Sequence, residues 1–105
     1  MYNIEISPRY VADMNATTNY ISNVLWNLDA ALKLKNKVDI TIDDIAKNPY
    51  IYSSYISGSK LKNEYRKAKV NNYYIFFRID EDRMVVQIAR FIFSKMDFTN
   101  INEFL

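Results

Sequence analysis

The stretch EYRKAKVNNYYIFFRIDEDRMVVQIARFIFSKMD, Glu64 to Asp97, decides the fold. Two clusters of turn-forming residues, Asn71-Asn72 and Asp80-Glu81-Asp82-Arg83, cut its aromatic and β-branched runs. It therefore reads as three consecutive antiparallel strands over 64–70, 73–79 and 84–93. Side chains alternate along a strand, so Ala68 and Val70 face the core while Tyr65, Lys67 and Lys69 face away from it. In the next strand Tyr73, Ile75, Phe77 and Ile79 share one face, with Tyr74, Phe76 and Arg78 on the other. Pairing the second set with Tyr65, Lys67 and Lys69 makes a cationic, aromatic surface. Such a surface suits RNA, because its cations neutralise phosphates and its tyrosines stack on unpaired bases. It equally suits an acidic or amphipathic protein segment.

Working outward, Tyr2-Asn3-Ile4-Glu5-Ile6 alternates and predicts a short first strand. Ser7-Pro8 opens a helix, since serine caps free amides and proline favours the first helical position. Val11, Met14, Thr18, Ile21, Leu25 and Leu28 recur at helical spacing, and Asn27 to Asp29 is a break with Asp29 as the next cap. Ala31, Leu34, Val38, Ile42 and Ile45 carry the period on to Lys47. Val38 to Ile42 favours strand by propensity, but the period decides for helix. A very short connection makes the two helices an antiparallel hairpin. Asn48-Pro49 ends the second helix. Tyr50 to Lys60 reads as an irregular loop packed down by Tyr50, Tyr52 and Tyr55, and Thr99 caps a terminal helical turn ending in Phe104-Leu105.

The expected architecture is α+β: β-α-α-β-β-β in one domain spanning 1–105, the helical hairpin packed on a small antiparallel sheet, with a short C-terminal helix. The first strand is expected at a sheet edge.

Composition excludes more chemistry than it suggests. The chain has 105 residues, half of them apolar and a quarter charged, with a net charge of +2, as an ordinary single-domain protein has. Histidine and cysteine are absent, which removes thiolate nucleophiles, disulfides, zinc sites and every scheme that needs an imidazole. A single glycine, Gly58, rules out glycine-rich phosphate loops. No apolar run approaches the roughly 18–20 residues of a membrane span, so the expected location is the cytoplasm, with no membrane partner, cofactor or metal. Asp39, Asp43 and Asp44 read as a solvated helix face. Arg78 and Arg90, inside apolar strands, are expected in ion pairs with Asp80, Asp97 or Glu103.

The order of elements, with Ile4-Glu5-Ile6-Ser7-Pro8, Asn72 to Asp80 and Arg90 to Phe98, resembles the RelE/ParE superfamily of bacterial toxins, the plasmid-stabilisation type. The resemblance implies the toxin of a type II toxin–antitoxin module. A cognate antitoxin would neutralise it as a hetero-oligomer, covering the groove between hairpin and sheet together with the aromatic, basic face. ParE-like members poison DNA gyrase by binding. RelE-like members cleave messenger RNA on the ribosome without metal. Position by position, Lys67 and Lys69 fill the place of the nuclease's basic strand residues, and Lys95 stands where an arginine is frequent. Tyr74 replaces a common arginine, Phe93 a common histidine, and Asp97 keeps an acidic position. The expected catalytic set, for the RelE-like alternative only, is Lys67, Lys69, Tyr74 and Lys95. In that alternative a tyrosine would act as acid or base, its pKa drawn down by the lysines. The expected partner-binding set is Tyr65, Lys67, Lys69, Arg78, Arg90, Phe93 and Asp97. Lacking both the arginine and the histidine, the chain reads as ParE-like. A degenerate, non-toxic binding module is the remaining alternative.

Overall fold

The computed structural model describes residues 1–55, 64–96 and 105. The chain runs β1 (Asn3–Ile6), α1 (Pro8–Asn19), a π-turn (Tyr20–Val24), α2 (Leu28–Lys47), a 3-10 turn (Pro49–Ile51), β2 (Ser53–Tyr55), β3 (Tyr65–Val70), β4 (Tyr73–Asp80) and β5 (Val85–Phe93). The described strands form a single sheet in the order β1-β5-β4-β3-β2. β1 lies at the edge, parallel to β5, with Ile4 opposite Val86. The meander is antiparallel, and a bulge between Phe76 and Phe77 shifts the β4–β5 register.

Local chemistry accounts for the helices. The Ser7 hydroxyl accepts from the Tyr10 amide at 3.0 Å, and Pro8 occupies the first turn. The cap of α2 is Asn27, whose Oδ1 accepts from the Ala30 amide at 3.0 Å. Asp29, expected as the cap, instead lies in the first turn, where its charge meets the helix dipole. The correction follows from the π-turn, which adds a residue per turn and carries the first helix further than a simple α-helical end.

That turn also rotates the tip out of register. Leu25 and Leu28, expected on the core face of the first helix, are exposed, as is Val11. The buried residues of α1 are Tyr10 and Met14. The face expected of α2, by contrast, is buried in full: Ala31, Leu34, Val38, Ile42 and Ile45.

The loop expected from Tyr50 contains the 3-10 turn and β2, a short edge strand pairing Ser53 with Lys67. Two serines in three residues gave no strand signal. Residues 56–60 of that loop and the expected C-terminal turn before Leu105 lie outside the described residues.

One core lies between the helices and the sheet, centred on Val38, Ile45, Ile75, Phe77, Val86 and Ile88, all fully buried. Tyr52 meets Phe77 edge-on at 5.8 Å, and Tyr73 stacks on Phe91 at 4.7 Å. Tyr10 is buried edge-on to Phe91 with its hydroxyl unpaired. Burial pushes that phenol up to about 12.

β5 outruns β1, whose last pair is Ile6 with Ile88. Past that point the edge of β5 is served by α1 and its cap. The Ser7 amide donates to Ile88 O at 3.0 Å and the Ser7 hydroxyl to Ala89 O at 2.6 Å. Asp13 accepts from the Phe91 amide at 3.0 Å and from Arg90 through Nε at 2.7 Å and Nη2 at 2.8 Å. Arg90 is thus ion-paired, as expected, and its partner Asp13 is a helix residue outside the expected set; Asp97 and Glu103 lie outside the described residues.

From the β4–β5 turn, Arg83 bridges Glu5 of β1 through both terminal guanidinium nitrogens at 3.1 Å and Asp80 through Nε at 2.8 Å. The Arg83 hydrogen bonds hold both carboxyls below their usual range. Tyr50 and Tyr2 hydroxyls donate to one Glu81 oxygen at 2.6 and 2.8 Å, lowering the Glu81 pKa, and Tyr2 is pushed up to about 12, chiefly by that bond.

Phe77→Ala should lower unfolding free energy by about 3–5 kcal/mol. Tyr10→Phe should leave it unchanged or raise it by about 1 kcal/mol, because it removes an unsatisfied buried hydroxyl. Urea titration checks both, and a Phe77→Ala loss below about 1 kcal/mol would contradict this core.

Carboxyls whose folded pKa is depressed stabilise the fold above their unfolded pKa and lose that contribution as pH falls through the folded value. The urea midpoint should therefore drop on acidification through the carboxylate range, and less steeply in Arg83→Gln. Equal slopes would contradict the Glu5–Arg83–Asp80 linkage.

Candidate partner-binding face

The helices cover one face of the sheet, and strand parity decides what the other displays. Registered pairs place Lys69 beside Tyr74 and Ile92, Lys67 beside Phe76 and Arg90, and Arg78 beside Gln87 and then Glu5. The sequence-expected surface is thus brought together: Lys67 and Lys69 of β3 share a face with Tyr74, Phe76 and Arg78 of β4. The Lys67 ammonium sits 4.6 Å from the centre of the Tyr74 ring, a cation–π contact.

Arg66, between the lysines and Tyr65 in sequence, points the other way. Its Nη1 donates to Tyr52 O at 2.7 Å, and its guanidinium lies 5.1 Å from the Tyr50 ring centre. Strand alternation therefore splits the basic run into an outward pair and an inward structural arginine.

The face is amphipathic rather than uniformly cationic. Phe76 and Ile92 form a small second core there, with Tyr74 and Leu105 packed on it. Phe76 is fully buried, and Leu105 packs on this cluster on the side of the sheet away from the helices. Beside this island a cavity of about 350 Å³ is lined by Arg9, Tyr65, Arg78, Gln87, Glu5 and Leu105, among others.

A polar chain crosses its floor. The Arg78 Nε donates to Gln87 Oε1, the Gln87 amide nitrogen donates to Glu5 at 3.2 Å, and Glu5 holds Arg83. Fixed hydrogen bonds along this row orient Arg78 and occupy Glu5, so the carboxylate anchors the floor rather than standing ready to take a proton.

The remaining expected residues scatter. Arg90 bonds Asp13 at the sheet edge. Phe93 is exposed at the end of β5, on the Tyr73 side, edge-on to that ring at 5.7 Å. Its pairing opposite Tyr73 separates it by parity from Tyr74 and Ile92. Lys95 is exposed beyond the strand, and Asp97 lies outside the described residues. Of the expected catalytic and partner-binding residues, Tyr65, Lys67, Lys69, Tyr74 and Arg78 therefore share one face, and Arg90, of the same parity, is drawn to its edge by Asp13.

Sequence reasoning did not single out Glu5, Arg9 or Gln87. Strand alternation carried a signal for Glu5 and Gln87, each flanked by apolar residues and so opposite the core. Nothing local marked Arg9, which reaches the cavity only because α1 begins where β1 stops. Asp39, Asp43 and Asp44 are exposed along α2, and among the described residues no group of three or more carboxylates could hold a metal ion. None of the described helices is long and apolar enough to cross a membrane.

Solved structures share this architecture at low identity. A chain of the chromosomal ParDE toxin–antitoxin system from P. aeruginosa superposes with a TM-score of 0.71 at 16% identity, covering 90% of this chain and 98% of that one. A chain of the RelBE2 toxin–antitoxin complex from Mycobacterium tuberculosis gives 0.59 at 17%, covering 88% and 96%. The isolated E. coli RelE toxin gives 0.58 at 11%, covering 98% and 93%. No curated protein sequence matches the chain. The sequence model for the ParE toxin of the type II parDE toxin–antitoxin system, however, matches residues 4–98, from β1 past the end of β5. A match of that extent, on a chain with this order of elements, settles the family: the protein belongs to the ParE toxins of type II toxin–antitoxin systems.

Proposed function

We propose that this toxin acts by binding a protein target, DNA gyrase, and that a cognate antitoxin silences it by occupying the same amphipathic face and the adjoining groove between hairpin and sheet. The observation that carries this reading is the half-buried pair Tyr74 and Leu105, seated on the buried Phe76 and Ile92 and bordered by Lys67 and Lys69. A partly exposed apolar and aromatic centre with a charged rim is the anatomy of a protein-binding patch. An amphipathic segment can lay apolar residues on Tyr74 and Leu105 and acidic ones against the lysines.

Catalysis on RNA makes a different demand. A group positioned to take the ribose 2′-hydroxyl proton must stand within hydrogen-bond reach of it, beside cations that stabilise the phosphorane. Lys67, Lys69, Tyr65 and Arg78 supply positive charge and stacking surface, which favours ribosome-dependent messenger RNA cleavage as the second reading. On this face Glu5 is engaged by Arg83 and Gln87, and Lys67 covers the Tyr74 ring. These contacts support binding over proton transfer.

Induction of the chain without antitoxin should arrest growth, inhibit supercoiling by purified gyrase and leave transcripts intact. Rapid transcript cleavage with normal supercoiling would overturn the gyrase reading, and unaffected growth would leave a binding module. The double variant Lys67→Glu/Lys69→Glu should lose toxicity while keeping its melting temperature within a few degrees. Full toxicity in the folded double variant would move the working surface elsewhere.

A further inference from the structure

The tip of the helical hairpin has no part in the face described above. From Tyr10 to Leu28 the sequence contains one charged residue, Asp13, and that carboxylate is held by Arg90 and the Phe91 amide. The tip is therefore electrically neutral, yet six large apolar residues stand exposed on it: Tyr20, Val24, Leu25, Trp26, Leu28 and Leu32. Trp26 is 89% exposed. It also has φ 54°, in the left-handed region that glycine favours and that costs a bulky side chain about 1–2 kcal/mol. Folding alone favours glycine here and burial of the indole. Neither holds, so neither backbone preference nor core packing within the monomer accounts for a tryptophan at this position.

We infer that the hairpin tip is a two-fold self-association surface, its occupant a second copy of this chain. Area supports the assignment. At these exposures the six side chains offer on the order of 600 Å² per copy, so a two-fold contact would bury about 1,200 Å², the lower bound for a specific interface.

Charge supports it as well. Leu28 and Leu32 form an i,i+4 ridge on the first turns of α2, and Asp29 and Lys33 flank it as an exposed pair at 2.9 Å. When two such ridges meet antiparallel about a dyad, Asp29 of one copy faces Lys33 of the other, the Leu28–Leu32 ridges lie between the helices, and the two Trp26 rings flank them at either end. Opposite charges then meet at the rim and apolar groups at the centre. A partner of strong single-sign charge would find no counterpart on this tip. An isologous contact needs one patch to be self-complementary, and this one is.

Sedimentation velocity of the full chain, from low micromolar to hundreds of micromolar, tests the inference. The wild type should shift from monomer to dimer with concentration. Trp26→Gly removes the backbone strain and the flanking indole together. It should fold with an unchanged or higher melting temperature and weaken the dimer at least about 30-fold. Leu32→Ser should weaken it in the same direction, and Lys67→Glu/Lys69→Glu should not. Three results overturn the proposal: a monomer across the whole range, a dimer indifferent to both tip variants, or a monomeric tip whose variants alter only antitoxin or gyrase binding. The first two leave the proposed toxin activity untouched, so failure here is distinguishable from failure there.

Discussion

The edge of β5 past Ile88 is the constraint on which the architecture depends. β1 is four residues long and turns into a helix while β5 continues to Phe93. An uncovered strand edge carries unpaired amides and carbonyls, which is costly when buried and hazardous when exposed. The protein meets this with a helix. Ser7 serves two carbonyls of β5 while capping α1, and Asp13, on the next turn but one, accepts the Phe91 amide. Arg90 then compensates the carboxylate charge with two short bonds in a mostly buried position, where an unpaired ion would be strongly destabilising. One carboxylate thereby fixes how the hairpin lies on the sheet.

That placement creates the asymmetry on which the proposed function rests. With α1 held against the edge, α2 lays Leu34, Val38, Ile42 and Ile45 over the meander and seals one face. The opposite face receives no helix from the described chain. It is left with a small apolar cluster topped by Tyr74 and Leu105, the two lysines of β3 and a hydrogen-bonded polar floor tied to β1 through Glu5. The face proposed to bind a partner and the core are thus the two sides of the same three strands, and the β4 sequence Ile75-Phe76-Phe77 supplies both: Phe77 packs under the helices and Phe76 under the outer face.

Period and capping made much of this legible in the sequence. The α2 face was readable because five apolar residues hold one phase over four turns, enough to override β-branched propensity at Val38 to Ile42. Ser7-Pro8 declared its helix start, and strand alternation sorted Lys67 and Lys69 from Ala68 and Val70. Reading failed where geometry is non-local. Leu25 and Leu28 keep the helical spacing on paper, but the π-turn at Tyr20–Val24 rotates them into solvent, and no local propensity announces a π-turn. β2 escaped notice because a three-residue edge strand is defined by its neighbour β3 rather than by its own composition. Asp13 gave no sign of its role, since a lone acid in a helix looks the same whether solvated or bonded to a strand 77 residues away. Arg90 was correctly suspected of an ion pair, but its partner depended on where β1 stops.

The most direct test of this account is amide hydrogen exchange at Phe91, read by NMR in the wild type and in Asp13→Ala. If α1 stands in for the missing strand, the Phe91 amide is protected to a degree comparable with the central residues of β4. The variant should lose that protection at Phe91 while Ile75 and Phe77 retain theirs. A Phe91 amide that exchanges fast in the wild type, or equally slowly in the variant, would contradict it.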